Sequence, residues 1–302
     1  MRKKDLFLAL LVVIIWGSTF TVIKLGLVGM PPMVLVALRF TLAAFPAVFL
    51  IKRPEIGWKY IVAYGLTAGL GQFACDIYSL YLGMPAGIAS VIMQSHVFLT
   101  FIFAFIILKD RIDGKEILGL IIATIGIVLL SLNVDIGAIV SVPPVSLLLQ
   151  LLAAGFWAIS SIVMKMAAKA AKKEKKKLDV FGVVVWSSLI PIIPFFIFGM
   201  LLDSPQVVYN SIIGLDLNYF LIIIYLSYAA TLFGFSIWGR LLRSYDAGKV
   251  ALLSLLVPVS GLLIGWVVMG EVLSSVQIIG VITVILGLVV ANFGIPKIKL
   301  VR

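Results

Sequence analysis

Ten apolar runs, each close to 20 residues and separated by short polar connections, fill nearly all of this 302-residue chain. They are Leu6–Ile23, Pro32–Ile51, Trp58–Leu82, Ala86–Leu108, Glu116–Leu132, Val145–Met166, Val180–Leu202, Asn218–Leu242, Lys249–Met269 and Ser275–Phe293. A helix needs about 20 such residues to cross the hydrocarbon core of a bilayer. Hydrophobic residues make up 63% of the chain and charged ones only 12%, against about 25% charged in soluble domains. Lipid must therefore solvate much of this surface. The expected fold is an all-α integral membrane protein of ten transmembrane helices. The first run follows Met1-Arg2-Lys3-Lys4; it exceeds the roughly 7–15 residues of a signal-peptide core and carries no clear cleavage site, so it reads as a retained helix. The single cysteine, Cys75, excludes an internal disulfide.

The basic residues decide the orientation. Of the 24 lysines and arginines, 22 fall at the two termini and in the even-numbered loops, while Asn133–Pro144 and Asp203–Leu217 hold none. Positive charge collects on the cytoplasmic side, so both termini and the even loops are expected there. The same rule accounts for the net charge of +11 without nucleic acid, for which no basic stripe interleaved with aromatics is present. The lysine-rich stretch at 167–179 reads as a solvated cytoplasmic loop touching anionic lipid.

An internal repeat runs through the chain. A shift of 161 residues carries Ala86-Gly87 onto Ala247-Gly248, Tyr64 onto Tyr225, Ala68 onto Ala229, Asp110 onto Glu271, Gly119 onto Gly280 and Gly126 onto Gly287. In the first span of each half, Trp16…Lys24 recurs as Trp157…Lys165. Residues 1–135 and 136–302 then form two halves of five spans each. Five is odd, so the second half is expected to be inverted relative to the first. Inverted halves offer two similar conformations, one open to each side, which is the basis of alternating access.

Against this background, Ile15-Trp16-Gly17-Ser18-Thr19-Phe20, Ala37-Leu38-Arg39-Phe40, Gly83-Met84-Pro85-Ala86-Gly87, Val185-Trp186-Ser187 and Leu253–Val259 carry a resemblance to the EamA family of the drug/metabolite transporter superfamily. It covers nearly the whole chain. Such motifs are short singly, but their order is specific. Asp110 and Glu271 stand at the family's acidic position after the fourth helix of each repeat, and Asp110 departs from the usual glutamate. Within the superfamily the chain is most similar to O-acetylserine/cysteine exporters. The resemblance implies export of small amino-acid-like metabolites across the plasma membrane, a multi-pass location and no enzymatic activity.

Ionisable groups at membrane depth are costly, and each invites a functional reading. His96, in the middle of span four, suits a proton-linked step or a neutral hydrogen bond to a neighbouring helix. Asp76 lies one turn after Gln72 on the same face of span three. It reads as a cavity carboxylate for an ammonium or a proton, or as a hydrated interfacial group. Arg39 matches a substrate carboxylate bidentately, or ties the backbone of another helix. Lys24 reads as a second carboxylate partner or as a side chain reaching the headgroups. Trp157, Ser160, Ser161, Met164 and Lys165 share one face of span six, and Trp16, Thr19 and Phe20 the matching face of span one. Both faces suit a cavity with an aromatic wall, or plain helix packing. Gln94 points about 200° from His96 around the helix, so both are not expected to face one narrow cavity. Pro258 would kink span nine and serve as a hinge, or sit in a static kink.

No phosphate loop, metal constellation or cofactor motif is present, so ATP-driven transport is unsupported. The leading expectation is a secondary transporter for a small amino-acid-like substrate, working as a monomer in the bilayer with no cofactor. A broad drug or nucleotide-sugar carrier is the alternative, and an intramembrane enzyme the reading from another class.

Overall fold

The computed structural model describes residues 1–82, 84, 89, 92–110, 113–131, 143–269 and 274–293. Among these, every regular element is helical. The first half supplies α1 (Lys3–Gly26), α2 (Pro32–Ala44), α3 (Ala47–Leu50), α4 (Trp58–Tyr64), α5 (Gln72–Tyr81), α6 (Ser95–Phe103) and α7 (Gly114–Ser131). The second supplies α8 (Pro144–Lys173), α9 (Val180–Ser187), α10 (Ile192–Leu202), α11 (Pro205–Ile213), α12 (Leu217–Ile224), α13 (Gly234–Ser244), α14 (Ala247–Leu253), α15 (Leu256–Met269) and α16 (Ser275–Phe293).

Several elements join end to end. Among the described residues six stretches are long and apolar enough to cross a membrane: Lys3–Ile23, Pro32–Leu50, Pro144–Lys173, Val180–Leu202, Leu217–Ser244 and Ala247–Ile264. Ser95–Leu108 and Ser275–Ala291 are shorter apolar helices. The chain is thus an all-helical, multi-pass membrane protein. The motif at 83–87 (apart from Met84), the acidic Glu271 and the loop at 132–142 lie outside the described residues.

The interruptions have local causes. Pro258 has no N–H to offer the Ser254 carbonyl, and its ring clashes with that carbonyl four residues back. The helix accordingly breaks at Ser254-Leu255, and Val257 takes over the Ser254 carbonyl. Span four breaks at Gln94 in the corresponding register, since the repeat shift carries Gln94 onto Leu255. Wide π-helical turns occupy Gly65–Gly71 and Tyr225–Phe233, again one repeat apart.

One boundary differs from expectation. Helix α8 runs through Lys173, so the lysine-rich segment begins inside a helix rather than as a loop from residue 167. Alanine and lysine are good helix formers, Ala167 and Ala171 are buried, and Lys172 and Lys173 in the last turn suit the negative end of the helix dipole. Lys175, in the left-handed conformation at φ 56°, turns the chain away.

The helices pack in reciprocal fashion. α1 lies against α15, and its counterpart α8 lies against α6; α8 also packs on α4 and α5, as α1 does on α12 and α13. α2 packs on α10, and α7 on α16. The last pair is the tightest. A Cβ on Gly119 would stand 2.5 Å from the Gly287 carbonyl oxygen, and one on Gly126 would stand 2.8 Å from that of Gly280. These two backbones can approach so closely only because the side chains are absent.

Candidate functional site

One cavity of about 160 Å³ opens between the helices. Its floor is aromatic. Trp16 of α1 donates through Nε1 to the Ala230 carbonyl at 3.0 Å. Its ring meets Trp157 of α8 edge-on at 5.4 Å, Phe235 at 5.8 Å and Trp238 at 5.0 Å. Trp16 and Trp157, which the recurring Trp…Lys sequence pattern pairs, therefore touch each other.

The wall above this floor is polar at a few points. Arg39 of α2 is 3% exposed; its Nε donates to Thr231 Oγ1 at 2.7 Å, and its guanidinium lies 4.5 Å over the Phe73 ring. Among the described residues no carboxylate comes within 4.0 Å of it. Asp76 of α5 accepts from Gln150 Nε2 at 2.7 Å. His96 of α6 places Nε2 2.9 Å from Ser254 Oγ. That hydroxyl also donates to the Ala251 carbonyl at 2.6 Å. A hydroxyl has one proton, so with it committed to the carbonyl, Nε2–H becomes the donor to Oγ. His96 Nδ1 is then an acceptor, and it has no partner among the described residues.

Of the ten side chains expected to line a cavity, Trp16, Thr19, Arg39, Gln72, Asp76, His96 and Trp157 border this one. Ser160 and Ser161 do not: both hydroxyls turn back onto the Trp157 carbonyl, at 2.7 and 3.3 Å, inside their own helix. The Phe20 side chain, like that of Lys24, lies outside the described residues. Asp76 and His96 border the same cavity with no hydrogen bond between them among the described residues. Gln94 also borders it, contrary to expectation. The 200° argument assumed an unbroken helix, whereas the break at Gln94 resets the direction of its side chain.

Sequence reasoning missed Gln150, Phe235 and Ser254. Gln150 carried a signal, standing seven residues before Trp157 and so on the same face of α8. Among the described residues no group of three histidine, cysteine, aspartate or glutamate side chains is placed to hold a metal ion.

The other end of the bundle is tied shut by polar contacts. Asp5, 2% exposed, accepts from Arg2 Nε at 2.8 Å and from the Tyr245 hydroxyl at 2.7 Å, with Arg240 at 3.5 Å. Lys165 Nζ donates to the Tyr245 carbonyl. Lys169 pairs with Asp110 at 3.7 Å, and Lys249 with Glu116 at 3.3 Å. These contacts join the ends of α1, α6, α7, α8, α13 and α14 on the side that carries the basic loops. The cavity lies in the opposite half: along α1 it takes Trp16, Thr19 and Ile23, progressively farther from Asp5.

Comparison with known proteins places the chain beside a family, three relatives and a solved structure. The profile of the EamA-like transporter family matches residues 3–132 and again residues 145–293. A Salmonella typhimurium (strain LT2) protein named "Probable amino-acid metabolite efflux pump" is 40% identical over 297 residues, covering 97% of this chain and 96% of that protein. An Escherichia coli (strain K12) protein of the same name is 38% identical over 305 residues, covering 100% and 99%. An "Uncharacterized transporter" of Archaeoglobus fulgidus is 26% identical, covering 95% and 97%. A solved structure described as "Crystal structure of protein" superposes with a TM-score of 0.77 at 18% identity, covering 97% of each chain, and shares the fold.

Proposed function

The chain belongs to the EamA-like transporter family, and from that premise we propose that it exports small amino-acid-like metabolites across the plasma membrane by alternating access. Its ten spans form two inverted five-helix halves with both termini in the cytoplasm. The profile matching once over each half supports this layout. So does the α7–α16 contact. Gly119 meets Gly287 and Gly126 meets Gly280, so these equivalent helices run antiparallel, as an axis lying in the membrane plane requires.

The observation that carries the substrate reading is the charge pattern of the cavity. A buried guanidinium without a carboxylate partner among the described residues and a carboxylate held by a neutral amide border one cavity. A zwitterion supplies what each lacks: its carboxylate meets Arg39 and its ammonium meets Asp76. Trp16, Trp157 and Phe235 receive the side chain. The names of the two enterobacterial relatives agree with such a substrate. The coupling proton is assigned to His96 and Asp76, the titratable groups besides Arg39 among the cavity's described residues. Pro258 marks the hinge of span nine. The polar ties among Asp5, Tyr245, Lys165 and Lys249 at the basic end support a state closed to the cytoplasm with its cavity in the outer half.

Counterflow in liposomes tests the proposal. Labelled L-cysteine and O-acetyl-L-serine are expected to enter vesicles preloaded with either compound, with saturation and a response to an imposed pH gradient. Absence of saturable flux for these and other amino acids would overturn it.

A further inference from the structure

Gln150 of α8 is fully buried and spends both amide hydrogens on the cavity wall. Nε2 donates to Asp76 Oδ1 at 2.7 Å and to the Ala89 carbonyl at 3.3 Å. Its Oε1 is buried with no partner among the described residues, and so is Oε1 of Gln72, one turn from Asp76 on α5. A buried amide oxygen without a donor loses its hydration and gains nothing in return, so such atoms are uncommon unless a ligand or water completes them. Here both side chains border the cavity that Asp76 also borders. We propose that Gln150 and Gln72, with Asp76, form a three-acceptor subsite for a primary ammonium, and that Gln150 selects for a free amine.

The chemistry follows from counting donors. A primary ammonium carries one positive charge and three N–H donors. Asp76 takes the charge and one hydrogen, and the two Oε1 atoms take the others. An N-acylated amino acid has one N–H and no charge there, so it leaves acceptors orphaned and the carboxylate unneutralised. Sites built around buried polar groups reject such analogues strongly for this reason. Gln150 also holds Asp76 in place through Nε2, so the same side chain orients the charge and completes the acceptor set. The inference rests on the amino-acid reading of the cavity and names which end of the substrate is inspected.

The test uses the full chain in proteoliposomes, with L-cysteine and N-acetyl-L-cysteine as probes. They share thiol and carboxylate and differ at the amine. The wild type is expected to carry cysteine at least about tenfold better, as kcat/KM, the scale of hydrogen bonds to a charged group. Gln150→Met keeps the length of the side chain and removes its polar atoms. It is expected to weaken cysteine transport about tenfold or more and to leave N-acetylcysteine nearly unchanged, so the ratio collapses. Gln72→Met makes an independent check, because among the described residues the amide bonded to Asp76 is that of Gln150, and it is expected to lower the same ratio. A wild type that carries both probes equally would sink the inference and spare the transport reading; a wild type that carries no amino acid would sink both. Equal losses for the two probes in both variants would reduce the glutamines to packing and overturn the proposal. An unchanged ratio accompanied by loss of a Na⁺ dependence would assign the oxygens to a metal cation and overturn it also.

Discussion

Replacing Arg39 with methionine separates binding from folding. Among the described residues the side chain, 3% exposed, has a hydrogen bond to Thr231 and two rings near its guanidinium, Phe73 at 4.5 Å and Phe40 at 5.9 Å. Losing the charged hydrogen bond costs about 1.5–3 kcal/mol and losing the cation–π contact about 0.5–2 kcal/mol. Removing a buried, uncompensated charge returns several kcal/mol. The terms nearly cancel, so Arg39→Met is expected to melt in detergent within a few degrees of the wild type without ligand.

The ligand response is expected to differ sharply. Truncating one partner of a buried, hydrogen-bonded ion pair costs about 2–5 kcal/mol, so Kd for the substrate weakens about 300-fold at the middle of that range. At a free L-cysteine concentration about 100 times the wild-type Kd, the wild type gains about 2.7 kcal/mol. The variant, at about a third of its own Kd, gains about 0.2 kcal/mol by the same relation. A ligand-dependent thermal-shift series reads both quantities. A variant that melts many degrees lower without ligand yet keeps the full ligand-induced shift would refute the reasoning: Arg39 would then be a structural tie between α2 and the Tyr225–Phe233 turn.

Four further outcomes follow from the packing and the charges. In a Cys75→Ser background with Ser161→Cys as reporter below the aromatic floor, Asp5→Asn and Tyr245→Phe are each expected to speed labelling by an impermeant maleimide from the cytoplasmic side about tenfold, by weakening the closed end; an unchanged rate in both would remove that contact from the gate. Gly126→Ala sets a Cβ 2.6 Å from the Val284 backbone nitrogen and is expected to cost about 1–3 kcal/mol, read as a lower melting temperature. Gly155→Ala, where a Cβ meets nothing within 4 Å, is expected to be neutral or to stabilise by up to about 1 kcal/mol. Lys176, 2.9 Å from Glu55, holds the Glu55 carboxyl below its ordinary value. The pair's contribution is therefore complete above the ordinary glutamate value and is lost as pH falls through the lowered one. An NMR titration is expected to place the Glu55 midpoint below the ordinary glutamate value, with Lys176→Gln returning it.

The helical, multi-pass character of the chain was legible because lipid imposes a simple code of apolar length. The aromatic floor was legible too, since the Trp16 and Trp157 pattern recurs in both halves. What failed shares one cause. Facing residues were assigned by counting around unbroken helices, and the helices are broken. Gln94 therefore seemed to oppose His96, and both border one cavity. Ser160 and Ser161 do share the face of Trp157, but helix periodicity cannot say that a serine hydroxyl prefers a carbonyl of its own helix when no water is near. Gln150 was hidden for the opposite reason. Its place on the Trp157 face was readable, but its partner was not: Asp76 stands 74 residues earlier and only the fold brings it beside Gln150.

The breaks also divide the labour within the bundle. Gly119, Gly126, Gly280 and Gly287 press α7 and α16 backbone to backbone, and a contact with no side chains between the helices has little room to slide. Spans four and nine differ: each is cut in its interior, at Gln94 and at Ser254, and His96 and Ser254 join the two cut points by one hydrogen bond. A short helix segment can pivot about a break without dragging its neighbour. The α7–α16 pair is then suited to be the fixed frame, and spans four and nine to be the moving parts. Their junction forms part of the cavity wall, where a bound substrate can bias which segment moves.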